Sequence, residues 1–361
     1  MVRGKTWLLV LVATIISALL VAACAPAAAP PASNAGAKTE TKADTKAEAK
    51  PAADTKAESK PAAEKPKQLI KLKVAHPHKG LAEISNAPIA ALKGFFKEEG
   101  LDVEFYYTKG GADTIRALTT GGVDLALDTG PMGILGAIEQ GTKLKIISAG
   151  VTGPNFYWMV PKDSPVKTIK DLAGKKIGYS EQGSSTNLAL MAILEQEKVK
   201  AEAVTSGNIA DSWTAAKTKQ IDAAWAAPPD TYKLEQEGAR SVFTSRDYPA
   251  LRDYTYIVNV ATPEMISKKR DAFIAFNRAL NKAADFVAND PEGAAKVFKS
   301  ETNLPEDMLV RYYKSIKPKE MWNLGEIKGW DTIIKYAKLF KFATKDFTLQ
   351  DVADLSTVPK Q

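Results

Sequence analysis

The 361-residue chain contains one cysteine, Cys24, and two histidines, His76 and His78. A single thiol makes no internal disulfide and supplies neither a zinc cluster nor an iron–sulfur site. The histidines do not fill the gap, because they flank Pro77 and positions so close around a proline rarely aim both rings at one ion. No phosphate-cradling loop of the G-x-x-x-x-G-K-[ST] type occurs either. The formal net charge is +7 and the pI about 9.1. Beyond Gln68, however, 39 basic residues face 36 acidic ones, and no basic run there exceeds Lys268-Lys269-Arg270, which reads as a solvated face. The charge is therefore no argument for nucleic acid as a partner.

Long apolar runs are confined to the N-terminus. Trp7 to Leu20 is apolar behind Arg3 and Lys5, too short and too soon interrupted for a comfortable membrane span, and Val21-Ala22-Ala23-Cys24 closes it. The arrangement resembles the bacterial lipobox. That resemblance implies a signal peptide over 1–23, cleavage before Cys24, and acylation of Cys24 by a diacylglyceryl group and often a third, palmitate-like chain; an ordinary secretory signal with an incidental cysteine is the alternative. A thiol consumed by lipid is no nucleophile. The address is then extracytoplasmic, lipid-anchored to the cell membrane on its periplasmic side or outer face. Residues 25 to 67 have no aromatic or branched aliphatic side chain. Such a segment cannot bury enough apolar area to offset its ordering entropy, so 24–68 reads as a lipidated disordered tether with a reach of about 35 to 40 Å.

From Leu69 short apolar runs alternate with helical periodicity. Strands are expected at Lys71 to Ala75, Leu101 to Tyr107, Val123 to Leu127, Leu144 to Ser148 and Phe156 to Val160. A second set is expected at Lys176 to Tyr179, Ala203 to Thr205 and Ala223 to Trp225, with Tyr254 to Val260 following. Helices lie between them, and the C-terminal third is mainly helical from Pro263, where Thr262 precedes a proline suited to a first helical position. This is the pattern of mostly parallel sheets with helices on both faces. Two α/β halves, bounded by extended segments near Trp158 to Val160 and Ile257 to Val260, predict two lobes, two crossovers and a cleft into which the strand-to-helix loops open. The boundaries are lobe 1 over 69–160 plus 258–361, and lobe 2 over 161–257.

The run Ala90-Ala91-Leu92-Lys93-Gly94-Phe95-Phe96-Lys97-Glu98-Glu99-Gly100-Leu101-Asp102-Val103 resembles a signature of the sulfonate, nitrate and thiamine-pyrimidine-precursor binding proteins. Gly121-Gly122-Val123-Asp124, Asp163 to Gly178, Gln220 to Ala224 and Pro263 to Pro291 are similar to later segments of that family. The resemblance covers Leu69 to Phe342. It implies the α/β type II periplasmic-binding-protein fold: two α/β lobes joined by two crossovers around a ligand cleft. It further implies capture of a small organic or anionic solute by lobe closure, delivery to an ABC permease and ATPase, a monomeric state, and no cofactor or metal. A sensing lipoprotein and a receptor for a TRAP transporter are the alternatives. A yeast thiamine-pyrimidine synthase shares the family, but it depends on a cysteine-rich motif and histidines absent here, so an enzyme is disfavoured.

Candidate ligand-binding residues follow from the loops. Gly183, Ser184, Ser185 and Thr186 precede a helix and could hold an anion at its positive end, or Ser184 or Ser185 simply caps it. Thr129 and Gly130 end the third strand, where Gly130 permits close approach or only the turn. His76 and Lys79 lie in the loop after the first strand, as solute contacts or as a surface turn. Asn155 and Phe156 border the cleft. Trp225 and Trp158 could stack on a ligand ring or pack in the core. Where the family often has Glu-Pro, this chain has Pro228-Pro229 followed by Asp230. That departure predicts the loss of a cleft carboxylate and a preference for anionic or neutral solutes.

Overall fold

The structure is a computed structural model and describes residues 68–360. The expectations for the signal segment, for Cys24 and for the tether up to residue 67 lie outside the described residues. Among those described, no helix is long and apolar enough to cross a membrane.

Among the described residues, ten strands form two groups. Strands β1 (Ile70–Pro77), β2 (Leu101–Thr108), β3 (Leu125–Thr129), β4 (Lys145–Thr152) and β10 (Thr255–Ala261) make a five-stranded sheet in the order β2-β1-β3-β10-β4. The first three run parallel, as their crossover helices Ala87–Leu92 and Gly111–Thr119 require, while β10 returns antiparallel between β3 and β4. In β1, Leu72 and Val74 are buried and Lys71 and Lys73 exposed, the alternation that a half-covered strand needs. The second group pairs β5 (Tyr157–Pro161) between β8 (Ala224–Ala226) and β9 (Ala239–Thr244), and β6 (Lys176–Tyr179) with β7 (Glu202–Thr205). A bridge between Ile177 and Ala223, with the Gly178 amide donating to the Ala223 carbonyl at 2.8 Å, joins these two ribbons edge to edge.

Two differences from the expected organisation have clear causes. Strand β5 straddles residue 160, and its pairing with β8 and β9 puts it in the second lobe, so the chain crosses over earlier, at 153–156. Strand β9 has no counterpart among the expected strands. Its burial alternates weakly, and Arg240 spends its guanidinium on the carbonyls of Ser164 and Val166 rather than on solvent, which masks a core strand as a polar one. The triplet Lys268-Lys269-Arg270 faces solvent, with Lys269 half-buried, and its members pair separately with Glu264, Asp124 and Asp354.

The C-terminal segment belongs with the first sheet. Ala353 bridges to Ile146 of β4, and the Thr357 hydroxyl donates to the Ile147 carbonyl at 2.9 Å. The second lobe is organised by Trp158, fully buried on β5. Its ring stacks on Phe243 of β9 at 4.8 Å and 11°, and its indole N–H donates to the Gly178 carbonyl of β6 at 3.0 Å, so one side chain ties three strands. Trp158 is thus core rather than a ligand platform. Trp158→Ala should cost about 3 to 5 kcal/mol in urea denaturation of the full chain. A loss below about 1 kcal/mol would show that this lobe does not depend on it.

Candidate functional site

Between the lobes lies a small pocket of about 40 Å3 whose walls come from both. The first lobe contributes Pro77 and His78 after β1, Asp128 and Gly130 at the end of β3, Gly111 at the start of the Gly111–Thr119 helix, and Ile257 of β10. The second contributes Ser180, Ser184, Ser185, Thr186 and Trp225, and Phe156 comes from the first crossover. A wider outer pocket of about 300 Å3 shares His78, Leu81 and Trp225 with it and adds Lys79, Asn208, Asp230, Lys233 and Glu301. The strand-to-helix loops of both sheets therefore converge on one cleft, as open α/β sheets dictate.

The loop Ser180 to Thr186 is built from hydroxyls. Ser180, Ser184 and Thr186 hydrogen-bond one another at 2.8 to 3.0 Å, and Ser184 caps the Ser185–Glu197 helix by accepting from the Asn187 amide at 3.2 Å. Capping and pocket lining are thus the same event here. The Ser185 hydroxyl donates across the cleft to the Tyr256 carbonyl of β10. A second tie crosses at Glu181, whose Oε2 accepts from the Ala112 amide at 3.3 Å in the first turn of the Gly111–Thr119 helix. Gly110 makes room for it: a Cβ there would stand 2.4 Å from the Glu181 carboxyl carbon. Burial, then Asp113, push the Glu181 carboxyl upward, opposed by the Ala112 amide, Arg116 and Lys109.

Of the residues expected at a site, Gly130, Phe156, Ser184, Ser185, Thr186 and Trp225 meet around the inner pocket, and Lys79 lines the outer one, lying 5.6 Å over the Tyr107 ring. Trp225 is anchored by its indole N–H to the Gly207 carbonyl at 2.9 Å, leaving its ring 6.2 Å from His78. Four others do not line either pocket. His76 is buried between the Phe105 and Tyr107 rings and Asp128, with Nδ1 hydrogen-bonded to the Pro77 carbonyl at 2.6 Å. Thr129 is buried and donates to the Val258 carbonyl at 3.0 Å. Gly183, at φ +78°, turns against Gly133 and Phe342. Asn155 sits in the crossover, not the cleft.

Several polar groups of this region are hidden in the sequence by their charge, since acidic residues are rarely buried. Asp128 is 4 % exposed at φ +56°, a conformation that Asp tolerates better than most residues, and the Asn259 side chain holds it by accepting from its amide at 3.0 Å. Burial and the nearby Glu83 push its carboxyl up, against the Ser85 hydrogen bond. Asp230 lines the outer pocket with Oδ2 buried, and burial raises its carboxyl to about 6. The carboxylate expected to be missing after the Trp225 strand is therefore supplied one residue beyond Pro228-Pro229. Among the buried side-chain atoms that lack a partner, five of eight belong to His76, Glu83, Asp128, Asn155 and Asp230. Buried polar groups are ordinarily paired, so this concentration marks the cleft and its hinge as the unsatisfied part of the molecule.

The two crossovers run side by side at that hinge. The Ser245 hydroxyl accepts from the Phe156 amide at 2.9 Å and donates to the Pro154 carbonyl at 3.0 Å, and the Gly153 amide donates to the Tyr254 carbonyl at 3.1 Å. Glu83, 1 % exposed, accepts from the Tyr256 hydroxyl and has the Asn155 amide beside it, so one buried carboxyl touches both crossovers.

A family model described as NMT1/THI5 like matches residues 83–294. The chain belongs to this family. A candidate binding protein of Brucella abortus is 28% identical over 282 residues, spanning 73% of this chain and 85% of its own. A 4-amino-5-hydroxymethyl-2-methylpyrimidine phosphate synthase of Saccharomyces cerevisiae is 23% identical, over 72% of this chain and 80% of its own. Among solved structures, the periplasmic aliphatic sulphonate binding protein of Escherichia coli superposes with a TM-score of 0.60 at 19% identity, covering 81% of this chain and 94% of that one. The family and the shared periplasmic-binding-protein fold support a solute-binding role.

The hinge carboxyl gives a pH test. Burial dominates at Glu83 and lifts it to about 7, over the opposing Tyr256 hydrogen bond, Arg246 and the Asn155 amide. A carboxyl raised in the folded state keeps its proton there while the unfolded chain loses it, so its contribution falls as pH climbs from the ordinary carboxyl range to about 7. His76 and His78, both lowered to about 4 chiefly by burial, act in the opposite sense between pH 4 and 6.5, so a difference measurement is needed. Stability of Glu83→Gln relative to the unmodified chain should rise between pH 5 and 8 by on the order of 3 kcal/mol in urea denaturation. Parallel pH profiles for the two proteins would contradict the assignment.

Proposed function

We propose that this protein is an extracytoplasmic solute-binding lipoprotein, anchored through Cys24, that captures a small organic or anionic solute by closing its lobes and delivers it to an ABC importer. The observation that carries the reading is the convergence of strand-to-helix loops from both lobes on one small pocket with Trp225 and Phe156 as flat walls and hydroxyls at its rim. A site made of two lobes and two crossovers binds best when shut, which couples occupancy to shape. Residues 24–68 would act as the tether that keeps the body near a membrane partner.

The chain is assigned no chemistry of its own. The yeast relative is named as an enzyme, yet the only thiol in this chain is Cys24, far in sequence from every residue of the cleft. Turnover by cysteine chemistry has no group to perform it at this pocket.

The reading is tested on the full chain by thermal shift against a panel of sulfonates, carboxylates, nitrate, amines and amino-substituted heterocycles. A solute at 100 times its Kd stabilises by about 2.7 kcal/mol, which for a body of this size is about 5 °C. A panel that leaves the melting temperature unmoved throughout would oppose solute capture. Separately, Cys24→Ala should move the protein from the membrane to the soluble fraction of the bacterial host. Retention in the membrane would contradict the anchor.

A further inference from the structure

We propose that the inner pocket selects a small flat organic cation, with Asp128 as the residue that selects it; this rests on the solute-binding reading above.

Three observations carry it. The first is the unpartnered acid. Asp128 lines the pocket, is 4 % exposed, and has an Oδ2 without a hydrogen-bond partner among the described residues. His76 Nε2 stands 3.3 Å from that oxygen but outside hydrogen-bonding geometry, and its other ring nitrogen is committed to the Pro77 carbonyl. The main chain at Asp128 is held at positive φ by Asn259, so the carboxyl is placed by the fold and is not a surface side chain folded inward.

The second observation is the lining itself. No lysine or arginine lines the inner pocket. A sulfonate or nitrate would enter a space that offers no compensating cation. The helix end at Ser185–Glu197 provides positive partial charge, but the Ser184 hydroxyl already caps it and the hydroxyl trio is bonded internally. The third is the walls: the Trp225 and Phe156 rings both line the pocket, and an aromatic face attracts a cation.

An empty buried carboxylate is costly, and burial holds Asp128 in its acid form. A bound amidinium, guanidinium or protonated amine lets the acid ionise. Its proton passes to solvent, and the cation donates a charge-assisted N–H bond to Oδ2. In the outer pocket Asp230 also has a buried Oδ2 without a partner among the described residues, there with Lys233 close enough to favour its ionised form.

The test uses two probes with the same ring and opposite charge, benzamidine and benzenesulfonate, titrated into the full chain by calorimetry and thermal shift. Benzamidine should bind and raise the melting temperature while benzenesulfonate does not. Asp128→Asn should weaken benzamidine at least about tenfold, and Asp128→Glu should restore part of the affinity. The preference between the probes in the unmodified chain tests charge selection even if a variant fails to fold. Stabilisation by benzenesulfonate, absence of a benzamidine effect, or unchanged benzamidine affinity in Asp128→Asn would each overturn the inference. If another solute of the wider panel still stabilises the chain, the solute-binding reading survives that failure; if none does, both fall.

Discussion

The rest of the structure depends on the side-by-side pairing of the two crossovers. Ser245 bonds both the Phe156 amide and the Pro154 carbonyl, Gly153 bonds Tyr254, and Glu83 reaches from the first lobe to the Tyr256 hydroxyl. Both connections are fastened at one place, which under the proposed closure is the axis of the movement. The pocket lies directly beside this axis, between Phe156 and Ile257. A small rotation there therefore changes the separation of the Ser184 and Gly130 loops, while the sheets behind them stay as they are.

The cleft is the place where the molecule tolerates unpaired polar atoms. A buried acid without a partner weakens a fold by several kcal/mol when ionised, and proteins retain such groups mainly where function requires them. Here Glu83 serves the hinge and Asp128 faces the pocket. Their proximity also matters, since Glu83 raises the preference of Asp128 for its proton. Buried His76 and half-buried His78, both lowered to about 4, make the charge state of this region a property of the cluster rather than of any one member.

Much of this arrangement is legible in the sequence. Alternation and glycine punctuation mark β1 to β8, and the loop residues Gly130, Ser184, Ser185, Thr186 and Trp225 can be placed at the cleft because ligands gather at strand ends. What escapes is set by partners distant in the chain. Asp128 and Glu83 read as ordinary surface acids until Asn259, 131 residues away, and Tyr256, 173 residues away, are brought against them. His76 reads as a loop ligand because nothing local reveals that Phe105 and Tyr107 will cover it. Strand β9 escapes because Arg240 satisfies carbonyls that a hydrophobic residue could not.

The central claim is that the lobes close about this hinge when a solute fills the pocket, with the Glu181–Ala112 contact marking the closed form. The most direct measurement places spin labels across the cleft mouth at Lys109→Cys and Gln182→Cys, in a Cys24→Ala background that leaves them the only thiols, and reads their separation by pulsed electron resonance. A solute that raises the melting temperature should shorten the mean distance by shifting the population to the closed form, and Glu181→Ala should lengthen it in the empty protein. A distance that is the same with and without solute would contradict the account.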